Sequence, residues 1–258
     1  MRVEALACTL AVPADLPAAT FAPRPSDARV VDRERRVRLG DVDIDAALRL
    51  DATARYLQDV ATDDAADAAL GDAYGWVVRR TMIAVHTPAR LGERVELATF
   101  CSGTGRSWAE RRTIISGNRG AHLDAVALWI RVDPTTGRPT GLGDDFMAIY
   151  GPAAADRRVS TRLQLDDPPA ETERRPWPLR QTDLDPLGHV NNAAQWAALE
   201  EILDDRVGVA DVEHRAPVEA DSEIELRVAR DTEQIRGWLV ADGTVRTALR
   251  WYRRTQGE

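Results

Sequence analysis

The residue types best suited to moving a proton fall together in one stretch, Asp183-Leu184-Asp185-Pro186-Leu187-Gly188-His189-Val190-Asn191-Asn192. A carboxylate four residues before an imidazole can attack a carbonyl or activate water, with the imidazole polarising or orienting the reactants. Val190, Asn191 and Asn192 are expected at a helix start, where free backbone N–H groups and the dipole favour negative charge. A purely structural reading uses the same residues. Asp-x-Asp before Pro-Leu-Gly is also an ordinary turn, Asn191 and Asn192 are good helix caps, and a lone histidine is more often structural.

The stretch occurs twice. Val37-Arg38-Leu39-Gly40-Asp41-Val42-Asp43-Ile44-Asp45-Ala46-Ala47-Leu48-Arg49-Leu50 aligns with 179–192 without a gap, placing Asp43 against Asp185 and Ala47 against His189. Both read as strand, Asp-x-Asp, turn and helix start. Only the second copy keeps a histidine and an asparagine pair, so one half is expected to bind and the other to do chemistry.

The elements around each copy repeat in the same order. In the first half a strand is expected at Glu34–Asp41. A helix follows, with Leu50, Ala54, Leu57, Val60 and Ala61 at helical spacing. Four strands come next, near Trp76–Thr87, Glu93–Ser102, Arg106–Ser116 and His122–Val132, separated by glycine-containing breaks. In the second half a strand at Trp177–Thr182 precedes a helix at about Asn192–Asp205. Strands near Val212–Arg215, Ser222–Ala229, Gln234–Ala241 and Thr244–Arg253 complete it. Ile224, Leu226 and Val228 alternate with charged neighbours, as half-buried antiparallel strands do. One strand, one helix and four antiparallel strands is the order of a hotdog fold. The chain is therefore expected to be α+β, a double hotdog of two tandem β-α-β-β-β-β units. Its parts would be an arm at 1–30, a first unit at 31–137, a linker at 138–175 with a short helix near Asp144–Tyr150, and a second unit at 176–258.

Composition narrows the partners. With 258 residues, 44% hydrophobic and 29% charged, the chain is an ordinary globular protein of one large or two small domains. The net charge of −8 argues against nucleic acid as a general partner. All 34 basic residues are arginine, which reads as coding bias. Cys8 and Cys101 make no disulfide framework, and no Cys/His cluster has zinc spacing. No apolar run reaches the ~20 residues of a membrane span, and Ala5–Val12 lacks the flank of a signal peptide. A cytoplasmic protein with no membrane partner is expected.

The string Asp183-Leu184-Asp185…Gly188-His189-Val190-Asn191-Asn192 resembles the acyl-acyl-carrier-protein thioesterases of plants and bacteria. The first half resembles them at Leu50–Val60, Trp76-Val77-Val78-Arg79-Arg80, Leu91-Gly92-Glu93-Arg94-Val95 and Ala127-Leu128-Trp129 with Thr136-Gly137-Arg138. The motif also looks like single-hotdog acyl-CoA thioesterases of the 4-hydroxybenzoyl-CoA type. The resemblance implies release of a fatty acid from acyl carrier protein or coenzyme A, by a monomer or homodimer, with no metal or organic cofactor. It implies Asp185 as nucleophile or general base, His189 as the polarising group and Asn191 beside them. Asn192, Trp76 and Leu57 would touch substrate, the last two lining an acyl tunnel, although both also read as plain core.

Two positions depart from the plant pattern. Leu187 stands where an asparagine is expected and Pro217 where a glutamate is, with Glu213 and Glu219 as substitutes; the two departures make a non-catalytic acyl-thioester-binding protein the alternative reading. Arg106, Arg111, Arg112, Arg174, Arg175 and Arg180 could meet a phosphate or simply form a solvated face. His86, His122 and His214 show no partner pattern and receive no role.

Overall fold

The computed structural model describes residues 21–70 and 75–253. Most of the expected N-terminal arm lies outside the described residues. The first unit runs β1 (Val31–Arg36), α1 (Leu50–Asp67), β2 (Trp76–Thr87), β3 (Arg94–Thr104), β4 (Trp108–Gly117) and β5 (His122–Arg131). Helix α2 (Asp144–Ala154) follows. The second unit runs β6 (Glu173–Pro176), α3 (Asn192–Gln195), α4 (Ala197–Glu200), β7 (Gly208–His214), β8 (Ile224–Arg230), β9 (Gln234–Ala241) and β10 (Thr244–Arg253). The tandem β-α-β-β-β-β order is the expected double hotdog.

All ten strands join one antiparallel sheet in the order β1-β3-β4-β5-β2-β7-β10-β9-β8-β6. The two units meet where β2 pairs with β7, from Arg80 opposite Glu213 to Val85 opposite Gly208. Gly208 is required there. A Cβ at this position would stand 2.3 Å from the Tyr252 carbonyl and 2.7 Å from the Trp251 ring.

Alternation along the strands sorts the faces. Ile83 and Val85 of β2 and Leu123 and Ala125 of β5 point inward, onto Leu50, Ala54, Leu57 and Val60 of α1. In the second unit Val212, Leu226, Ile235, Leu249 and Trp251 pack on Trp196, Leu199 and Ile202. These residues form one continuous core. Each large side chain fully buried in it contributes roughly 1.5–3 kcal/mol.

The outer face is partly strapped by the chain between the units. Val159 accepts from the Trp108 indole at 2.8 Å. Asp166 accepts from the Trp238 indole at 2.8 Å. Leu165 packs against Trp238, Val240 and Ala248, and its N–H reaches the buried Glu213 carboxylate at 3.1 Å.

Local details differ from the sequence expectation where polar groups or prolines intervene. The first strand ends at Arg36, because Asp41 accepts from the Arg38 N–H at 2.9 Å and winds 39–41 into a 3-10 turn. Strand β6 lies earlier than expected, at Glu173–Pro176. Pro176 and Pro178 carry no N–H to continue a ladder. The second helix is two short pieces rather than one rod. At Trp196 and Leu199 the N–H groups bond three residues back, to Ala193 and Trp196, tightening the winding where the Trp196 ring enters the core.

The junction carries a buried ion pair. Asp211 of β7 is fully buried and meets Arg80 of β2 at 2.6 and 2.8 Å, with Arg250 of β10 at 3.4 Å. Replacing Asp211 by Ala strands Arg80 in the sheet. It should cost about 3–5 kcal/mol, read as a lowered midpoint of urea unfolding; a loss below about 1 kcal/mol would show that the pair does not hold the halves together.

Candidate active site

The second copy of the motif forms a closed loop. Arg180 begins a 3-10 turn in which the buried Asp183 accepts from the Arg180 N–H at 2.9 Å. Asp185 Oδ1 accepts from the N–H of Leu187 at 2.9 Å and of His189 at 3.2 Å. The Asp185 N–H returns to the His189 carbonyl at 2.8 Å. Gly188 sits at φ 81°, a left-handed conformation that favours glycine. Asp185 therefore serves the turn with one oxygen. Its Oδ2 makes no hydrogen bond among the described residues.

His189 is the partner the loop presents. Its Nε2 lies 3.4 Å from Glu219 Oε2, and the two residues also pair as an isolated antiparallel bridge. The imidazole is about one-third exposed, at 37%, so a substrate can reach it. Asn191 is a helix cap, its side chain accepting from the Ala193 N–H at 2.8 Å. The expected trio of free N–H groups is reduced to one. Val190 donates to Val218 and Asn191 to Asp183, which leaves the Asn192 N–H without an acceptor among the described residues.

A buried polar spine holds this loop from behind. Gln195 Nε2 donates to the Val190 carbonyl at 3.1 Å. Gln195 Oε1 accepts from Thr247 Oγ1 of β10 at 2.5 Å and faces His214 Nδ1 of β7 at 3.0 Å. Burial, helped by the Arg79 guanidinium, holds the His214 imidazole down at about 3. It is therefore neutral, and Nδ1 is the donor toward Gln195.

The first copy repeats this loop bond for bond. Asp43 Oδ1 accepts from the Asp45 and Ala47 N–H groups, each at 2.9 Å. Ala46 takes the left-handed conformation at φ 60°, where the second copy has Gly188. The chemistry is different. Ala47 replaces His189, and Arg90 stands across from it where Glu219 stands across from His189. Arg206 from the second unit reaches Asp43 Oδ2 at 2.7 Å. It also pairs with Glu200, which caps the α1 N-terminus by accepting from the Leu50 N–H at 2.5 Å.

A cleft of about 700 Å³ opens in the first unit, within the range of small-molecule sites. Gln58 and Ala61 of α1 form one wall. Trp76, Phe146 and Tyr150 form another, with ring centroids 5.4 and 4.8 Å apart. Cys101 lines it too, but burial pushes its thiol up to about 11, which removes it as a nucleophile at neutral pH. Leu57, expected beside Trp76, does not line the cleft. Helical periodicity turns it inward to the sheet, where it is 6% exposed in the core. None of Asp185, His189, Asn191 and Asn192 lines the cleft. Of the arginines considered for phosphate, Arg111 is bound to Asp64, Arg112 to Asp124 and Arg180 to Asp183.

Comparison with known proteins agrees over almost the whole chain. Residues 28–150 match the acyl-ACP thioesterase N-terminal domain and residues 166–246 the C-terminal domain. The chain belongs to the acyl-ACP thioesterase family. As a member it is a thioester hydrolase. An uncharacterised protein of Mycobacterium tuberculosis is 32% identical over 87% of this chain and 92% of its own length. The 12:0-ACP thioesterase of Umbellularia californica shares the fold at TM-score 0.72 and 22% identity, covering 88% of this chain and 98% of that one. An acyl-ACP thioesterase of Bacteroides thetaiotaomicron does so at 0.70 and 16%, covering 86% and 97%.

Two residues of the loop's surroundings carry little or no signal in the sequence. Gln195 carried no signal, because a glutamine inside a helix reads as solvated. Glu219 was one of two candidates, and the structure separates them. Glu213 is fully buried and spends its carboxylate on the strap, whereas Glu219 meets His189.

Replacing Gln195 by Leu would leave the Val190 carbonyl, the Thr247 hydroxyl and the His214 Nδ1–H buried without this partner. Stability should fall by at least about 3 kcal/mol, since each orphaned group costs roughly 1–3, measured by chemical denaturation. His214 gives a pH prediction. In the unfolded chain it titrates near 6.5; in the fold it does so only at about 3. A depressed folded value leaves its contribution whole above about pH 6.5 and removes it as pH falls toward about 3. The slope is at most ~1.4 kcal/mol per pH unit. Denaturation at a series of pH values should show a shallower acid slope for His214→Gln than for wild type; equal slopes would refute the assignment.

Proposed function

We propose that this protein hydrolyses fatty acyl thioesters, carried on acyl carrier protein in preference to coenzyme A, and releases free fatty acid for fatty acid biosynthesis in the cytoplasm. The observation that carries the reading is the contrast between the two loops. Asp43 is occupied by Arg206 and faces an alanine, while Asp185 keeps one oxygen unengaged beside a histidine braced by Glu219.

In this reading Asp185 Oδ2 takes a proton from water, and the water oxygen bonds to the thioester carbon. The Asn192 N–H and the His189 imidazole receive the oxyanion as it develops. The carbon–sulfur bond then breaks, and the departing sulfur takes the proton that Asp185 gained, passed on by way of His189, so acid and thiol leave and both side chains return to their starting state. Asn191 acts by capping α3 and fixing the loop. Residues 31–137 supply the acyl-binding half, with the chain laid along Trp76, and residues 176–258 the catalytic half, joined by the linker at 138–175. Leu187, 57% exposed at the loop tip, offers no amide for orienting water, which leaves Asp185 and His189 to share the work.

Thiol release from panels of acyl-acyl-carrier-protein and acyl-CoA should show turnover, fastest with the carrier protein. Asp185→Ala and His189→Ala should each lower it by ~100-fold or more, the scale of a lost acid–base group. Glu219→Gln should lower it less. Wild type that binds acyl conjugates without releasing thiol would make this a binding protein; a preference for acyl-CoA would reassign the carrier.

A further inference from the structure

Three side chains from two strands, His86 of β2 with His122 and Asp124 of β5, converge on the outer face of the first unit. His122 and Asp124 stand two apart on β5 and so share a face. Asp124 and Val126 continue the outer row that Met82 and Ala84 occupy on β2. The β2–β5 register slips between Val85 and Thr87, because Val85 pairs with Leu123 and Thr87 with His122. His86 is the extra residue of that bulge, and bulges re-aim side chains. Here the imidazole comes down over the neighbouring strand. Its Nε2 lies 3.1 Å from Asp124 Oδ2, and His122 Nε2 lies 3.4 Å from the same oxygen. The two rings lie side by side, 4.4 Å apart and 17° from parallel.

We propose that His86, His122 and Asp124 form a binding site for a divalent transition-metal ion of the zinc class. Zinc takes imidazole nitrogen and carboxylate oxygen at about 2.0–2.2 Å, usually in a tetrahedron, whose edges between ligands are then about 3.3–3.5 Å. The two nitrogen–oxygen distances already approach that edge, and the ligand atoms of all three residues fall within 4.8 Å of one another. The ion enters where the carboxylate oxygen now receives both rings, so a small opening of the pair completes the set.

The remaining groups suit a ligand site. Asp124 is held from its other oxygen by Arg112 at 2.5 Å. This contact leaves Oδ2 for the ion and fixes the carboxylate, as outer-shell partners do. The Arg112 charge opposes a cation and sets the affinity below that of an all-cysteine site. Access is open on one side: the His122 side chain is 50% exposed while Asp124 is 10% exposed. Water can therefore fill the remaining coordination position. Sequence spacing conceals the set, because His86 reaches the others only across the β2–β5 register.

The test is titration of chelator-treated protein with Co²⁺ as a spectroscopic stand-in for Zn²⁺. A visible band should saturate at one ion per chain and be displaced by Zn²⁺. His122→Ala removes an exposed ligand with little risk to folding and should weaken the binding at least tenfold. The double variant His86→Ala/His122→Ala should abolish it, whereas His189→Ala should not change it. Zn²⁺ should raise the melting temperature of wild type, by mass action on the folded state, and not that of the double variant. No band with wild type, or an unchanged band in the folded double variant, overturns the site.

Discussion

The pairing of β2 with β7 is the constraint on which the rest of the molecule depends. Each unit alone would leave that strand as a bare sheet edge, a template for wrong partners. Joined, the two edges satisfy each other's N–H and carbonyl groups, and the two helices fall against one another on the same inner face. The junction is closely specified. At the end of β7, Gly208 admits the Tyr252 backbone of β10, the strand on its other side. Asp211 fixes the register between Arg80 and Arg250. A one-residue slip would turn every inward side chain of β7 outward and would break that ion pair at the same time. The core runs without interruption from Val60 to Leu226 because this seam is fixed.

Once the units are joined, the two loops no longer see the same surroundings. Their backbones are nearly identical: Asp185 and Asp43 accept the same pair of N–H groups, and Gly188 and Ala46 take the same left-handed turn. That turn is therefore structural in both copies. Asp185 Oδ1 is a turn former. What separates the copies is the second oxygen. Asp43 gives it to Arg206, while Asp185 keeps it unengaged.

Much of this was legible in the chain, for identifiable reasons. Strands β2, β9 and β10 fall where the sequence predicts them, and in β8 the alternation of Ile224, Leu226 and Val228 with charged neighbours is a buried face against a wetter one. The duplicated motif was legible because it aligns without a gap. Sequence could not place Leu57 and Trp76 on different sides of the same unit, because a helical stripe and a strand start both read as apolar. Trp76 turns toward α2, whose packing is tertiary, and Leu57 turns toward the sheet. Nor could spacing reveal Gln195, Glu219 or the His86–His122–Asp124 set, because each depends on contacts between elements distant in sequence.

Arg206 shows how the duplication was resolved physically. One guanidinium holds Asp43 and Glu200 together, and Glu200 in turn accepts from the Leu50 N–H at the start of α1. These polar groups bind the second unit's helix to the first unit's. In the second loop Asp185 Oδ2 and the Asn192 N–H have no partner among the described residues and the His189 side chain is 37% exposed, and such groups contribute little to holding a backbone in place. Its rigidity comes from behind, through Gln195, His214 and Thr247 in the dry core, where hydrogen bonds are strong and water does not compete. The fold thus turns one copy of a loop into a fastening and supports the other so that it can remain unfastened.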